Sequence, residues 1–156
     1  MDSNELVITR RDVRERAMQV LYAYEISREP IEMLVESIAG EDIDREPETF
    51  SFAQRLVYTV LNHRHEADPM IKKHARNWDF ERIAAIDKIL LRMGICEFLY
   101  FGDVPVKVTI NEYVEIGKKF STENSGKFIN GLLDAVLAEL RAQNLVTKTG
   151  RGLIEL

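Results

Sequence analysis

The stretch FERIAAIDKILLRMGICEFL, residues 80–99, decides the fold. Apolar side chains fall on almost every side of a helix drawn through it, and no proline breaks it. Asp87, Lys88, Arg92 and Glu97 interrupt it too often for a membrane span, which needs about 20 predominantly apolar residues. A helix that is apolar on most of its circumference belongs at the centre of a helical protein. Asp79 is its expected N-cap. Ile83, Ile86, Leu90 and Phe98 are expected in the core, with Leu132 and Val136 from further along. Cys96 falls inside the run, where a thiol serves as a small buried hydrophobe and not as a nucleophile.

The pattern on either side is also helical. A first helix is expected from about residue 9 to 27, capped by Thr9, with Val13, Ala17, Val20, Leu21 and Tyr24 as its apolar stripe. Pro30 fits the first turn of a short second helix carrying Leu34, Val35 and Ile38, and Gly40 fits its stop. Residues 40–46 (GEDIDRE) read as a solvated loop. Pro47 opens a third helix with Ala53, Leu56, Val57, Val60 and Leu61 inward, and Asp68 with Pro69 restarts a fourth. Residues 77–79 (NWD) read as a linker. Past the central fifth helix, residues 104–110 alternate like a strand, but Pro105 and a T-x-x-E capping box at Thr109 and Glu112 favour a sixth helix ending near Phe120. A seventh starts around residues 122–125 and buries Phe128, Ile129, Leu132, Leu133, Val136, Leu137 and Leu140. Residues 147–152 (TKTGRG) read as a loose tail. The class is therefore all-α, with short loops joining antiparallel neighbours.

Composition narrows the function. With 4 Pro and 8 Gly in 156 residues, long helices are favoured over a many-turn β-fold. One cysteine excludes an intramolecular disulfide and a cysteine zinc site. The opening residues MDSNELVITRRD lack the apolar core of a signal peptide, so a reduced cytoplasm is the expected location. The net charge of −5 argues against indiscriminate binding to polyanions, yet the charge is uneven. Residues 10–16 (RRDVRER) carry a local +2, and residues 28–48 a local −6.

Enzymatic constellations are absent from the sequence. His63 and His65 stand two apart and point about 200° apart on a helix, so they do not share a metal. His74 stands by itself, and neither a glycine-rich phosphate loop nor a G-x-S-x-G elbow occurs. No catalytic residue, cofactor or metal is expected. The arginine cluster carries the sharpest signal. Arg11, Arg14, Met18 and Tyr22 are expected in a sector about 80° wide, opposite the apolar stripe. Guanidinium forks grip phosphates, and a flanking ring stacks on an unpaired base. A solvated face laced by pairs such as Arg11 with Glu15 fits the same residues, and the pattern does not separate the two. Asn124, Ser125, Lys127 and Asn130 supply donors near a helix start, where free N–H groups favour an anion. Ordinary capping explains them as well. Gly131 is expected to mark close approach of another helix.

At these residues the chain resembles the NusB family of bacterial antitermination factors. The resemblance lies in RRDVRERAMQVLY (residues 10–22), DKILLR (87–92), VPVKVTINE (104–112) and KFINGLLD (127–134), in that order. It implies a seven-helix fold of two packed antiparallel helical bundles forming one domain over residues 10–140, with a flexible arm at 1–9 and a tail at 141–156. It also implies binding to the boxA element of nascent ribosomal RNA together with NusE, a small-subunit ribosomal protein, within an antitermination complex on RNA polymerase. By the same match, Arg10, Arg11, Arg14, Gln19 and Tyr22 would face RNA, and Asn124, Ser125, Lys127 and Phe128 would form a second RNA-contacting patch. Asp87 would contribute to the NusE surface, although an internal ion pair is nearly as good an explanation of its charge. Asp12 interrupts the arginines where many relatives are basic, and Asn124 stands where an acid is common. Two other classes stay open: a helical protein–protein adaptor, and an RNA-binding domain akin to those of rRNA methyltransferases.

Overall fold

The structure is a computed structural model that describes residues 8–40 and 47–154. The expected N-terminal arm lies mostly, and the 40–46 loop almost wholly, outside the described residues. The described residues are helical, with no strand among them. The chain divides into two compact units between Val57 and Tyr58.

In the first unit, α1 spans Arg10–Ser27. Thr9 caps it, and Asp12 completes a capping box by accepting from the Thr9 N–H at 2.8 Å. That gives the acid among the arginines a structural task, because it satisfies an orphan donor at the helix start. Next, α2 (Ile31–Leu34) widens into a π turn over Val35–Gly40. The i→i+5 spacing of a π turn brings Ala39 inward after Leu34, so Ala39 is buried and the expected Ile38 only half-buried. Val13, Ala17, Val20 and Leu21 of α1 are buried as the stripe requires.

Helix α3 runs Pro47–His74 and joins what reads in the sequence as two helices. The expected restart at Pro69 is not observed. Pro69 lies inside the helix, and the one non-helical residue is His63 (φ −123°, ψ 16°). A proline ring pushes against the carbonyl four residues earlier, here that of His65, and the non-helical residue lies further on the same N-terminal side. Among the described residues the count is six α-helices, because the expected third and fourth form one kinked helix.

The second unit is built around α4 (Ala85–Tyr100), α5 (Val106–Phe120) and α6 (Glu123–Ala142), each in contact with the other two. Residues 89–98 of α4 are buried without a gap, which makes it the central helix. Its start is later than expected. Asp79 caps a separate 3-10 turn at Phe80–Arg82 by accepting from the Glu81 N–H at 3.2 Å, and Ile83 is extended. Ile86, on the first turn of α4, is half-buried, whereas Ile83, Leu90, Phe98, Leu132 and Val136 are buried. Arg92 reaches back to Asp68 of α3 at 2.7 and 3.1 Å, a bidentate pair. The Cys96 thiol is pushed up to about 12 by burial, so it is inert near neutral pH.

The capping box expected at Thr109 does not form. Helix α5 already starts at Val106, and Thr109 sits one turn inside it, wholly buried. Its hydroxyl donates to Glu97 at 3.0 Å, and the Tyr113 hydroxyl donates to the other oxygen of the same carboxylate. Two hydroxyl donors thus satisfy one buried acid.

The tail is docked and not loose. Lys148 donates to the carbonyls of Glu97 and Phe101 at 3.0 and 2.8 Å, so it closes the C-terminus of α4. The Thr149 N–H donates to the Gly102 carbonyl at 3.0 Å. Gly152 packs so tightly that a Cβ there would stand 1.9 Å from the same carbonyl oxygen.

Candidate nucleic-acid interface

The expected RNA-facing residues of α1 separate into two groups. Arg10 and Arg11 are exposed, Tyr22 is 39% exposed and Gln19 is half-buried. Arg10 lies over the Phe52 ring at 3.8 Å from its centroid. A cation–π contact of this kind orients a guanidinium without neutralising it. Arg14 is different. It is only 2% exposed, with its guanidinium 5.4 Å from the Phe52 ring centroid, and Met18 is buried too.

The arginine sector therefore flanks the apolar stripe and does not oppose it. At about 100° per residue, Arg14 falls about 20° from Leu21 and about 60° from Ala17. The edge of the sector is covered by the core, and only Arg11 and Tyr22 remain on its open side.

The second patch also divides. Thr122 caps α6 by accepting from the Ser125 N–H at 3.1 Å. This cap leaves Asn124 and Lys127 exposed and Phe128 half-buried. Ser125 turns inward. It is 6% exposed, and its hydroxyl donates to Asp87 at 2.9 Å. Asp87 is 6% exposed on the first turn of α4, and its other carboxylate oxygen has no hydrogen-bond partner among the described residues. Both side chains are buried within the unit. The internal ion pair weighed for Asp87 is in fact an acid–hydroxyl bond.

Sequence reasoning missed Trp78. It is 63% exposed, and its ring meets Phe128 edge-on at 5.7 Å between centroids and 61° between planes. The two rings border an open cleft of about 480 Å³ whose wall also includes Lys73, Arg76 and Lys127. A signal was present: one tryptophan in a short linker, close after Lys72, Lys73 and Arg76. Gly131 opens onto this cleft, and nothing lies within 4 Å of where its Cβ would be. The close helix approach expected at Gly131 occurs instead at Gly117, where a Cβ would stand 2.6 Å from Ile129 Cδ1.

The NusB family model matches residues 11–138. The chain belongs to the NusB family. It is 44% identical over 151 residues to the transcription antitermination protein NusB of Chloroherpeton thalassium, covering 97% of this chain and 72% of that protein. The fold agrees with solved NusB structures. Against T. maritima NusB the TM-score is 0.76 at 32% identity, over 84% of this chain and 92% of that one. Against a crystal structure of antitermination factors NusB and NusE in complex with dsRNA it is 0.75 at 27% identity, over 83% and 96%. The NusB family match covers both the arginine-bearing helix and the Lys127–Phe128 patch.

Proposed function

We infer that this chain is a non-catalytic, RNA-binding transcription antitermination factor. It binds boxA-like single-stranded RNA of nascent rRNA transcripts together with NusE, and acts in the cytoplasm within an antitermination complex on RNA polymerase. One observation carries the reading: the chain matches, over most of its length, a NusB solved together with NusE and RNA. No helix among the described residues is long and apolar enough to cross a membrane.

The chemistry of the exposed residues supports it. Arg10 and Arg11 neutralise phosphates and fix the register, with Gln19 and Tyr22 beside them. Asn124, Lys127 and Phe128 form the second contact. Single-stranded RNA is the form whose base edges such side chains can read. Arg14 and Ser125 support these contacts from inside, Arg14 beneath Phe52 and Ser125 by tying the start of α6 to α4. Asp87 holds that helix start in place through Ser125.

The test is fluorescence anisotropy of a labelled boxA-like RNA against a scrambled RNA, each with and without NusE. Tighter binding to the boxA-like RNA, strengthened by NusE, is expected, because a second protein on adjacent RNA raises the effective concentration of both. Equal binding to both RNAs in all four arms would refute the reading. The protein-only adaptor predicts NusE binding with no RNA dependence.

A further inference from the structure

We propose that the cleft between Trp78 and the α6 face carrying Lys127, Phe128 and Gly131 is a base-stacking subsite for single-stranded RNA. One unpaired base lies on the Trp78 ring, and its flanking phosphates meet Lys127 and Arg76. The inference rests on the RNA-binding reading above and adds a site that none of the family-matching motifs contains in full, since Trp78 and Arg76 lie outside them all.

Three independent observations meet here. The first is the placement of Trp78. Its backbone N–H donates to the Ala75 carbonyl at 3.0 Å, and Asp79 caps the following turn, so the ring stands on a hydrogen-bonded turn. The edge-on contact with Phe128 anchors the indole and still leaves it 63% exposed. An indole held rigidly with a face open to solvent is a stacking platform that any base can use.

The second is charge. Lys73 is bound by Glu139 at 2.5 Å, and His74 hydrogen-bonds the same carboxylate. Lys127 has no ion-pair partner among the described residues. Among the described residues Arg76 spends only its Nε, on the Lys73 carbonyl at 3.2 Å, which leaves its two terminal nitrogens open there. Two available cations therefore flank the rings on a chain whose net charge is −5. Cations beside an exposed aromatic suit a nucleotide, which presents a ring and an anion together.

The third is Gly131. Glycine is the least favourable helix residue after proline. In α6 it is exposed, and no neighbour approaches closely enough to require it. Its effect is to keep the cleft wall bare one turn beyond Lys127. The cleft, at about 480 Å³, lies in the size range of small-ligand sites. A paired base is already stacked in its duplex, so the occupant is an unpaired one.

Trp78 is the chain's single tryptophan, so its emission reports this ring alone. The experiment titrates an unlabelled boxA-like single-stranded RNA into the protein and, separately, the protein into a fluorescein-labelled copy followed by anisotropy. Trp78 emission should be quenched with the same Kd as the anisotropy rise. Trp78→Ala should weaken binding about tenfold, the loss of one base stack, and Trp78→Phe should retain most of the affinity. Gly131→Leu, which fills the cleft, should weaken it similarly. Binding by anisotropy with unchanged Trp78 emission, and with Trp78→Ala binding like the unaltered protein, would overturn the subsite and leave the RNA-binding reading intact. Absence of any anisotropy change would overturn both. The emission of the unaltered protein decides the matter even if a variant folds poorly.

Discussion

Ser125 at the start of α6 donates its hydroxyl to Asp87 on the first turn of α4, across 2.9 Å, and both side chains are buried. Two residues with separate expected tasks, one toward RNA and one toward a protein partner, thus form a single internal contact. It joins the helix that presents Lys127 and Phe128 to the central helix of the unit.

Removing that contact should be felt as stability. Ser125→Ala leaves a buried carboxylate with neither oxygen hydrogen-bonded by this hydroxyl, a loss of about 1–3 kcal/mol. Asp87→Lys places a cation where the acid was buried and should unfold the unit, not selectively weaken NusE binding. Urea denaturation and circular dichroism check both. A fully folded Asp87→Lys protein with lost NusE binding would return Asp87 to the partner surface.

The arginines of α1 should divide by burial. Arg10→Ala with Arg11→Ala should change stability by no more than about 1 kcal/mol. The same pair should lower the slope of log affinity against log salt by about 1.4, since each phosphate contact on a single strand contributes about 0.7. Arg14→Ala should do the reverse, with a stability loss above about 1 kcal/mol from lost packing against Phe52 and a salt slope nearly unchanged. Binding isotherms at three or more salt concentrations, alongside urea melts, separate the two classes.

Leu90 is fully buried in the centre of α4, against a tightly packed Gly117. Leu90→Ala should cost about 2–5 kcal/mol, the transfer loss plus the cavity left behind. A cost below about 1 kcal/mol would mean that α4 is not the central helix.

Lys148 introduces a pH dependence. Burial lowers its ammonium from the usual 10.5 to about 8, against the partial support of Glu97 and Asp103. Between about 8 and 10.5 the unfolded chain holds this proton and the folded chain has released it. The Lys148 contribution to stability should therefore rise with pH through that window and be flat below it. Subtracting the unfolding free energy of Lys148→Met at each pH isolates the effect, and an NMR titration of the Lys148 side chain should show its midpoint near the lower end.

Much of this molecule is readable from the order of its residues. The apolar run at 80–99 announces a central helix because only a buried helix tolerates apolar side chains on nearly every side. Thr9 and Thr122 announce helix starts because a hydroxyl there satisfies backbone donors that the helix leaves open. The family likewise follows from short motifs in a fixed order. These are local statements, and local chemistry settles them.

Other features depend on what folds against each residue. A helical wheel gives the angle of Arg14 but not the width of the buried arc, so its burial beside Phe52 appears only when α3 is in place. The break expected at Pro69 falls instead at His63, on the N-terminal side of the proline. Thr109 becomes a donor to Glu97 because α5 packs on α4, and Lys148 becomes a helix cap because the chain returns to the end of α4. Trp78 reads as a linker residue until Phe128, fifty positions away in sequence, is brought within 5.7 Å of it. The sequence by itself determined which segments are helical and which family they belong to, since periodicity and capping act within a few residues. Which cations face solvent and which rings meet was decided by the tertiary structure alone, because burial and contact belong to pairs of segments that the chain order keeps apart.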